Sequence, residues 1–136
     1  MERSDELRAL MLQFYEALTN GDASFFDRHF SKSQDTRGIG TDPDEWWSGP
    51  QLVQVWKEQI AALGGSMPIT PGDLEAFADG DVGWIADRPT LDLGDGDPVA
   101  IRYTAVFVRE DDEWKLVQSH GSIGLANEGT FGELPT

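Results

Sequence analysis

The sequence contains no cysteine, which removes disulfide staples, thiolate nucleophiles and cysteine-ligated metals together. That absence fits a reducing compartment, and a cytoplasmic location is the expectation. Histidine is nearly missing too: His29 and His120 stand alone and far apart. No HExxH or other zinc spacing can be assembled from them. The chain has few cations, with 10 Lys and Arg against 25 Asp and Glu for a net charge of -15. Such a field repels phosphate backbones and anionic lipid surfaces, so neither nucleic acid nor membrane is an expected partner. No apolar run is long enough to span a bilayer, and Met1 to Asp5 is too polar for a signal core. Phosphate loops, dinucleotide fingerprints and nucleophile elbows are missing. Asp92, Asp95 and Asp97 lack the order of a calcium loop and read as a solvated turn. No cofactor or metal is expected.

What is present is apolar patterning with many aromatics. A chain of 136 residues fits one domain over 1–136, with a tail over 124–136 that shows no period. Leu7, Leu10, Met11, Phe14 and Leu18 recur at three- and four-residue steps and predict an amphipathic helix. Ser4 is its N-cap and Asn20-Gly21 its stop. Asp22 starts a short second helix carrying Phe26 and Phe30. A third helix follows Pro50, with Leu52, Val53, Trp56, Ile60 and Leu63 inward, and Gly64-Gly65 ends it. Thr36 to Gly40 reads as a short strand, and 41–50 as a structured loop.

The period then changes to two. Strands are predicted near Asp73–Ala78, Val82–Thr90, Val99–Arg109 and Glu113–Ile123, joined by turns at Asp79-Gly80-Asp81, Gly94–Asp97 and Glu110–Asp112. Sequential strands with short turns pair antiparallel, so the fold class is α+β: N-terminal helices on an antiparallel sheet.

Strict alternation puts Arg102, Thr104, Val106 and Val108 on one face of the third long strand. It puts Trp114, Leu116, Gln118, His120 and Ser122 together on the last. Polar groups thus share faces with apolar ones, and buried polar groups need partners. The expectation is a cavity in which Arg102, Gln118, His120 and Ser122 converge at one end. Hairpin pairing brings Arg102 close to His120 within a small register error. His120 is the candidate general acid or base, and Asp44, Glu45 and Asp87 are candidate partners by type. Arg102 suits either a ligand carboxylate or an ion pair with Asp44 or Glu45. Trp46, Trp47, Trp56 and Trp84 are candidates for an aromatic lining, with two of the four expected to touch the cavity. Trp114 is assigned to the core.

The loop Gly38-Ile39-Gly40-Thr41-Asp42-Pro43-Asp44-Glu45-Trp46-Trp47-Ser48-Gly49 resembles a signature of SnoaL-like domains in the nuclear transport factor 2-like superfamily. So does Arg102-Tyr103-Thr104-Ala105-Val106-Phe107, followed by Trp114-Lys115-Leu116-Val117 and His120-Gly121-Ser122. The resemblance covers all but the tail. It implies a cone-shaped α+β barrel, N-terminal helices packed on a strongly bent sheet, with a cavity between sheet and helices and a homodimer through the outer sheet face. Members of that superfamily include isomerases, dehydratases, polyketide cyclases and plain binding modules.

Three functions remain open on this reading. The first is binding of a small, largely apolar molecule in the cone. The second is cofactor-free lyase, isomerase or cyclase chemistry using His120 with a carboxylate. The third is dimeric association without catalysis, through an outer patch around Ile101, Tyr103, Phe107 and Val117.

Overall fold

The structure is a computed structural model and describes every residue from Met1 to Thr136. The two-residue strand β1 (Glu2–Arg3) leads into α1 (Asp5–Asn20). The Ser4 hydroxyl accepts the Leu7 N–H at 3.1 Å, and Asp5 and Glu6 occupy the positive end of the helix dipole. The helix ends at Gly21, whose φ of 69° is left-handed and whose N–H reaches back to the last turn. The short α2 (Ser24–His29) starts beside Asp22, whose carboxylate accepts the Ser24 N–H. A two-strand arm follows, β2 (Arg37–Ile39) and β3 (Trp46–Ser48), and then α3 (Gln51–Ala62). The sheet strands after it are β4 (Ile69–Thr70), β5 (Glu75–Asp79), β6 (Val82–Asp87), β7 (Thr90–Leu91), β8 (Val99–Ala100), β9 (Arg102–Glu110) and β10 (Glu113–Ser122).

The main sheet has the order β1-β5-β6-β9-β10-β2-β3. Its pairs are antiparallel except β10 with β2, which run parallel. A second sheet, β4-β7-β8, closes one end. The chain changes sheet where the sequence predicts unbroken strands. Pro89, which has no N–H, separates β6 from β7. Ile101 separates β8 from β9, and its N–H is taken up by the Pro89 carbonyl at 3.0 Å. The result is an α+β cone: three helices lie against one face of a curved, mixed sheet, as the α+β class predicts.

The stripe Leu7, Met11, Phe14 and Leu18 of α1 is fully buried. Phe14 is the hub, with Phe25, Phe26 and Trp56 edge-on to it and Phe30 stacked at 5.7 Å. From the sheet, Ala105, Phe107, Trp114 and Leu116 complete this core. Each fully buried side chain of this size contributes roughly 1.5–3 kcal/mol of transfer free energy. No helix is long and apolar enough to cross a membrane.

Candidate functional site

One irregularity decides which residues face inward. The pairing of β9 and β10 runs Leu116 with Phe107 and then Gln118 with Val106, leaving Val117 as a bulge without a partner. An extra residue in one strand shifts every later side chain to the opposite face. Trp114 and Leu116 therefore point inward, but beyond the bulge Ser119, Gly121 and Ile123 do so instead.

The predicted polar cluster is corrected: the bulge turns Gln118, His120 and Ser122 outward, and on the unbroken β9 Arg102 alternates with the buried Tyr103 and faces out as well. Arg102, Gln118 and His120 are exposed on the outer face of the sheet, and Ser122 is half-buried. His120 pairs with Thr104, and Arg102 pairs with Ser122, donating its Nε–H to the hydroxyl at 3.1 Å. Arg102 makes no ion pair with Asp44 or Glu45; the Glu45 carboxylate instead accepts from the Asp42 N–H and the Gln59 amide. The outer patch expected around Ile101, Tyr103, Phe107 and Val117 is corrected for a related reason. Tyr103 and Phe107 are buried on the inner face, and Ile101 faces the cavity.

A cavity of about 300 Å³ does lie between sheet and helices, with other residues lining it. Helix α1 supplies Phe14, Tyr15 and Leu18, and α3 supplies Leu52 and Trp56. The β2–β3 arm brings Ile39, Thr41 and Trp47. The small sheet and its flanks add Met67, Ile69, Leu91 and Val99, and the ends of β9 and β10 add Tyr103, Ser119 and Gly121. Leu93 and Ile123 line it while about half exposed, which places them at its mouth. Of the 19 lining residues 15 are hydrophobic, and none is Asp, Glu, His, Lys or Arg. Trp47 and Trp56 are among them. Trp46 is 66% exposed, and Trp84 lies on the outer face against Phe77, so these two do not reach the cavity.

Polar groups around the cavity fall into two sets. In the first, the Tyr15 hydroxyl donates to the buried Asp87 carboxylate at 2.8 Å. That carboxylate also accepts the N–H groups of Gly72 and Arg88. Burial, then the bond and charge of Asp87, push the Tyr15 phenol far above its ordinary range, so it remains a donor. This set is satisfied. The second set is not: Tyr103 Oη and Trp56 Nε1 are buried and have no hydrogen-bond partner. Burial raises the Tyr103 phenol well above its usual value, and the nearby Ser119 hydroxyl only partly opposes that. Ser119 is close enough to influence the phenol, but the two do not meet hydrogen-bond geometry. An unpaired buried donor costs about 1–3 kcal/mol. No three His, Asp or Glu side chains gather as a metal-binding group.

The sequence holds one trace of the bulge. Trp114 and Leu116 are apolar at even positions and Ile123 at an odd one, so a single inward face through all three requires a phase shift. Tyr15, Tyr103 and Ser119 carry no motif that marks them, and strict alternation assigned the last two to the wrong surface.

A SnoaL-like domain family model matches residues 7–126. Several solved structures share the fold at low identity. An NTF2-like protein of unknown function from Pseudomonas putida KT2440 has a TM-score of 0.80 at 17% identity, covering 96% of this chain and 93% of that one. A candidate dehydratase of the NTF2-like family from Streptomyces avermitilis gives 0.76 at 19%, covering 90% and 96%. A candidate ketosteroid isomerase from Parabacteroides distasonis gives 0.66 at 18%, covering 90% and 95%. The comparison with curated proteins finds no match. At these identities the structural likeness establishes the fold alone, while the family match runs from α1 to the end of the last strand. The chain belongs to the SnoaL-like domain family and has its cystatin-like, NTF2-like cone.

Proposed function

We propose that this protein binds a small, neutral, largely apolar molecule inside the cone. The observation that carries the reading is the cavity of about 300 Å³, lined by 15 hydrophobic residues among 19 and by no carboxylate, imidazole or cation. An engineered apolar cavity of about 150 Å³ takes up benzene; this one has room for a two-ring compound. A ligand carboxylate would have to shed its water with no lining cation to receive it, which disfavours anions. The protein's own charge of -15 acts in the same direction.

The test is titration with N-phenyl-1-naphthylamine, a neutral apolar fluorophore. The wild type is expected to bind one molecule per chain with a blue-shifted emission. Gly121 offers the control, because a Cβ built on it meets only Tyr103 Cδ2, at 3.6 Å. Gly121→Phe should therefore fill the cavity, abolish binding and leave the circular dichroism spectrum unchanged. Equal binding by both proteins would place the probe elsewhere and refute the reading.

A second reading is cofactor-free proton transfer, as an isomerase, dehydratase or cyclase. The names of the Streptomyces and Parabacteroides relatives favour it. With His120 outside, the acid–base group in this reading is Asp87, which meets the cavity through Tyr15. The lack of any lining base ranks this reading second. We also propose a homodimer through the outer sheet face, where Arg102, Gln118 and His120 are exposed and would be covered.

A further inference from the structure

We propose that the groove beside the cavity mouth is the docking site of the chain's own C-terminal segment, residues 124–136, which closes over the mouth and holds the ligand in. The docking goes beyond the binding reading proposed above and rests on it only for what the closed segment retains.

Exposed apolar side chains gather at one place on this molecule. Nine large ones face solvent. Met1, Trp46 and Val82 are scattered, and lone exposures of this kind are ordinary. The other six form two sets that meet at Ile123. Leu93 and Ile123 stand at the cavity mouth. From Leu93 a groove runs on to Leu63, just past α3, with Asp92 and Asp95 on its walls. Leu63 is 41% exposed there. The second set belongs to the segment itself: Leu125, Phe131 and Leu134 are 77%, 71% and 51% exposed.

The segment is free to move onto that groove. Its backbone hydrogen bonds run only from Thr130, Phe131 and Gly132 to its own Asn127 carbonyl. It begins directly after Ile123, at Gly124, where an added Cβ would meet nothing. Phe131 is eight residues beyond Ile123, an extended reach of roughly 26 Å, enough to cross the mouth. Residues 127–136 lie beyond the family match, which ends at 126, so the closing device belongs to this chain rather than to the cone it shares.

Two effects set the balance. Covering Phe131, Leu93 and Leu63 together takes apolar surface out of water and favours closure. Closure also brings Glu128 and Glu133 towards Asp92 and Asp95, and that repulsion favours the open form seen here, which admits the ligand. Salt weakens the repulsion. An apolar ligand seated in the mouth adds surface for the segment to cover and shifts the population towards the closed form.

The absence of cysteine allows a direct test by disulfide trapping in the full chain. Asp95→Cys with Thr130→Cys places one thiol on the groove wall and one on the segment, leaving Leu63, Leu93 and Phe131 in place. Asp81→Cys with Thr130→Cys is the control, since Asp81 is an equally exposed acid on the turn between β5 and β6. In a glutathione buffer the Asp95 pair is expected to close within one chain about tenfold faster than the control, because docking raises its effective concentration. Added salt should widen that ratio. Phe131→Ser in the same background should remove most of it. Release of N-phenyl-1-naphthylamine from the oxidised protein should be about tenfold slower than from the reduced one. Equal closure rates for the two pairs would overturn the docking whatever the fluorophore does. A disulfide between two chains would put the segment on a second copy and overturn its assignment to its own mouth. Trapping that leaves release unchanged would overturn the retaining role while binding stands. Trapping in a protein that takes up no fluorophore would support the docking and count against the binding reading alone.

Discussion

Asp87 shows how much one side chain can organise. Its carboxylate takes the Tyr15 phenol and the N–H groups of Gly72 and Arg88, and so ties α1 to the strand-to-strand corner that follows β6. Tyr15→Phe removes one of these donors and should lower stability by about 1–2 kcal/mol in urea unfolding. Asp87→Ala strands three donors at once and should cost more. His29, at the end of α2, governs a different response. Its ring lies 4.5 Å from that of Phe25, with Arg28 and Lys115 nearby and Glu113 opposing them weakly. Burial first, then the two cations, hold its pKa below the ordinary 6.5. In the window beneath that value the unfolded chain binds the proton and the folded chain does not. Stability contributed by the neutral ring is therefore complete above pH 6.5 and falls as the pH drops through the folded-state pKa. Denaturation midpoints measured across the acid range should decline more steeply for the wild type than for His29→Gln.

At the scale of elements, the β2–β3 arm reaches the cavity because Gly38 lets α3 approach. A Cβ there would come within 2.2 Å of Leu52 Cδ1, and Leu52 is fully buried. Gly38→Ala should destabilise by about 1–3 kcal/mol through overpacking, seen as a lower thermal midpoint. The helices were legible in the sequence because apolar spacing, the Ser4 cap and the Gly21 stop all agree on α1, and Pro50 marks α3. The long strands were legible as strands. Their faces were not: the β10 bulge at Val117 reverses the alternation on which Gln118, His120 and Ser122 were placed inside, and Arg102, on the unbroken β9, was placed with them by a register that set it beside His120, whereas it pairs with Ser122. The strands β1, β3, β4, β7 and β8, of two or three residues, are too short to show a period of two. The pairing of several depends on distant partners: Glu2–Arg3 on β5, and Ile69–Thr70 on β7. The cavity's existence was reachable from the family likeness, whereas its unpaired donors depend on three-dimensional neighbours that no motif records.

For the whole molecule, charge and surface act together. The net charge of -15 opposes self-association at low ionic strength, and salt screens it. The proposed homodimer would cover the outer face, where Val106 sits between Trp84 and Gln118 in adjacent strands. Sedimentation should accordingly show a dimer that tightens with added salt, and Val106→Glu should shift it to monomer. A monomer in the wild type at micromolar concentration would discard that interface.

The six isoleucines give a direct reading of the interior. Ile39, Ile69, Ile101 and Ile123 line the cavity, while Ile60 and Ile85 are buried outside it. Methyl NMR of selectively labelled isoleucine during titration with tetralin should move the first four signals in a saturable manner and leave the last two in place. Signals that all move alike, or none at saturating tetralin, would contradict a ligand seated within the cone.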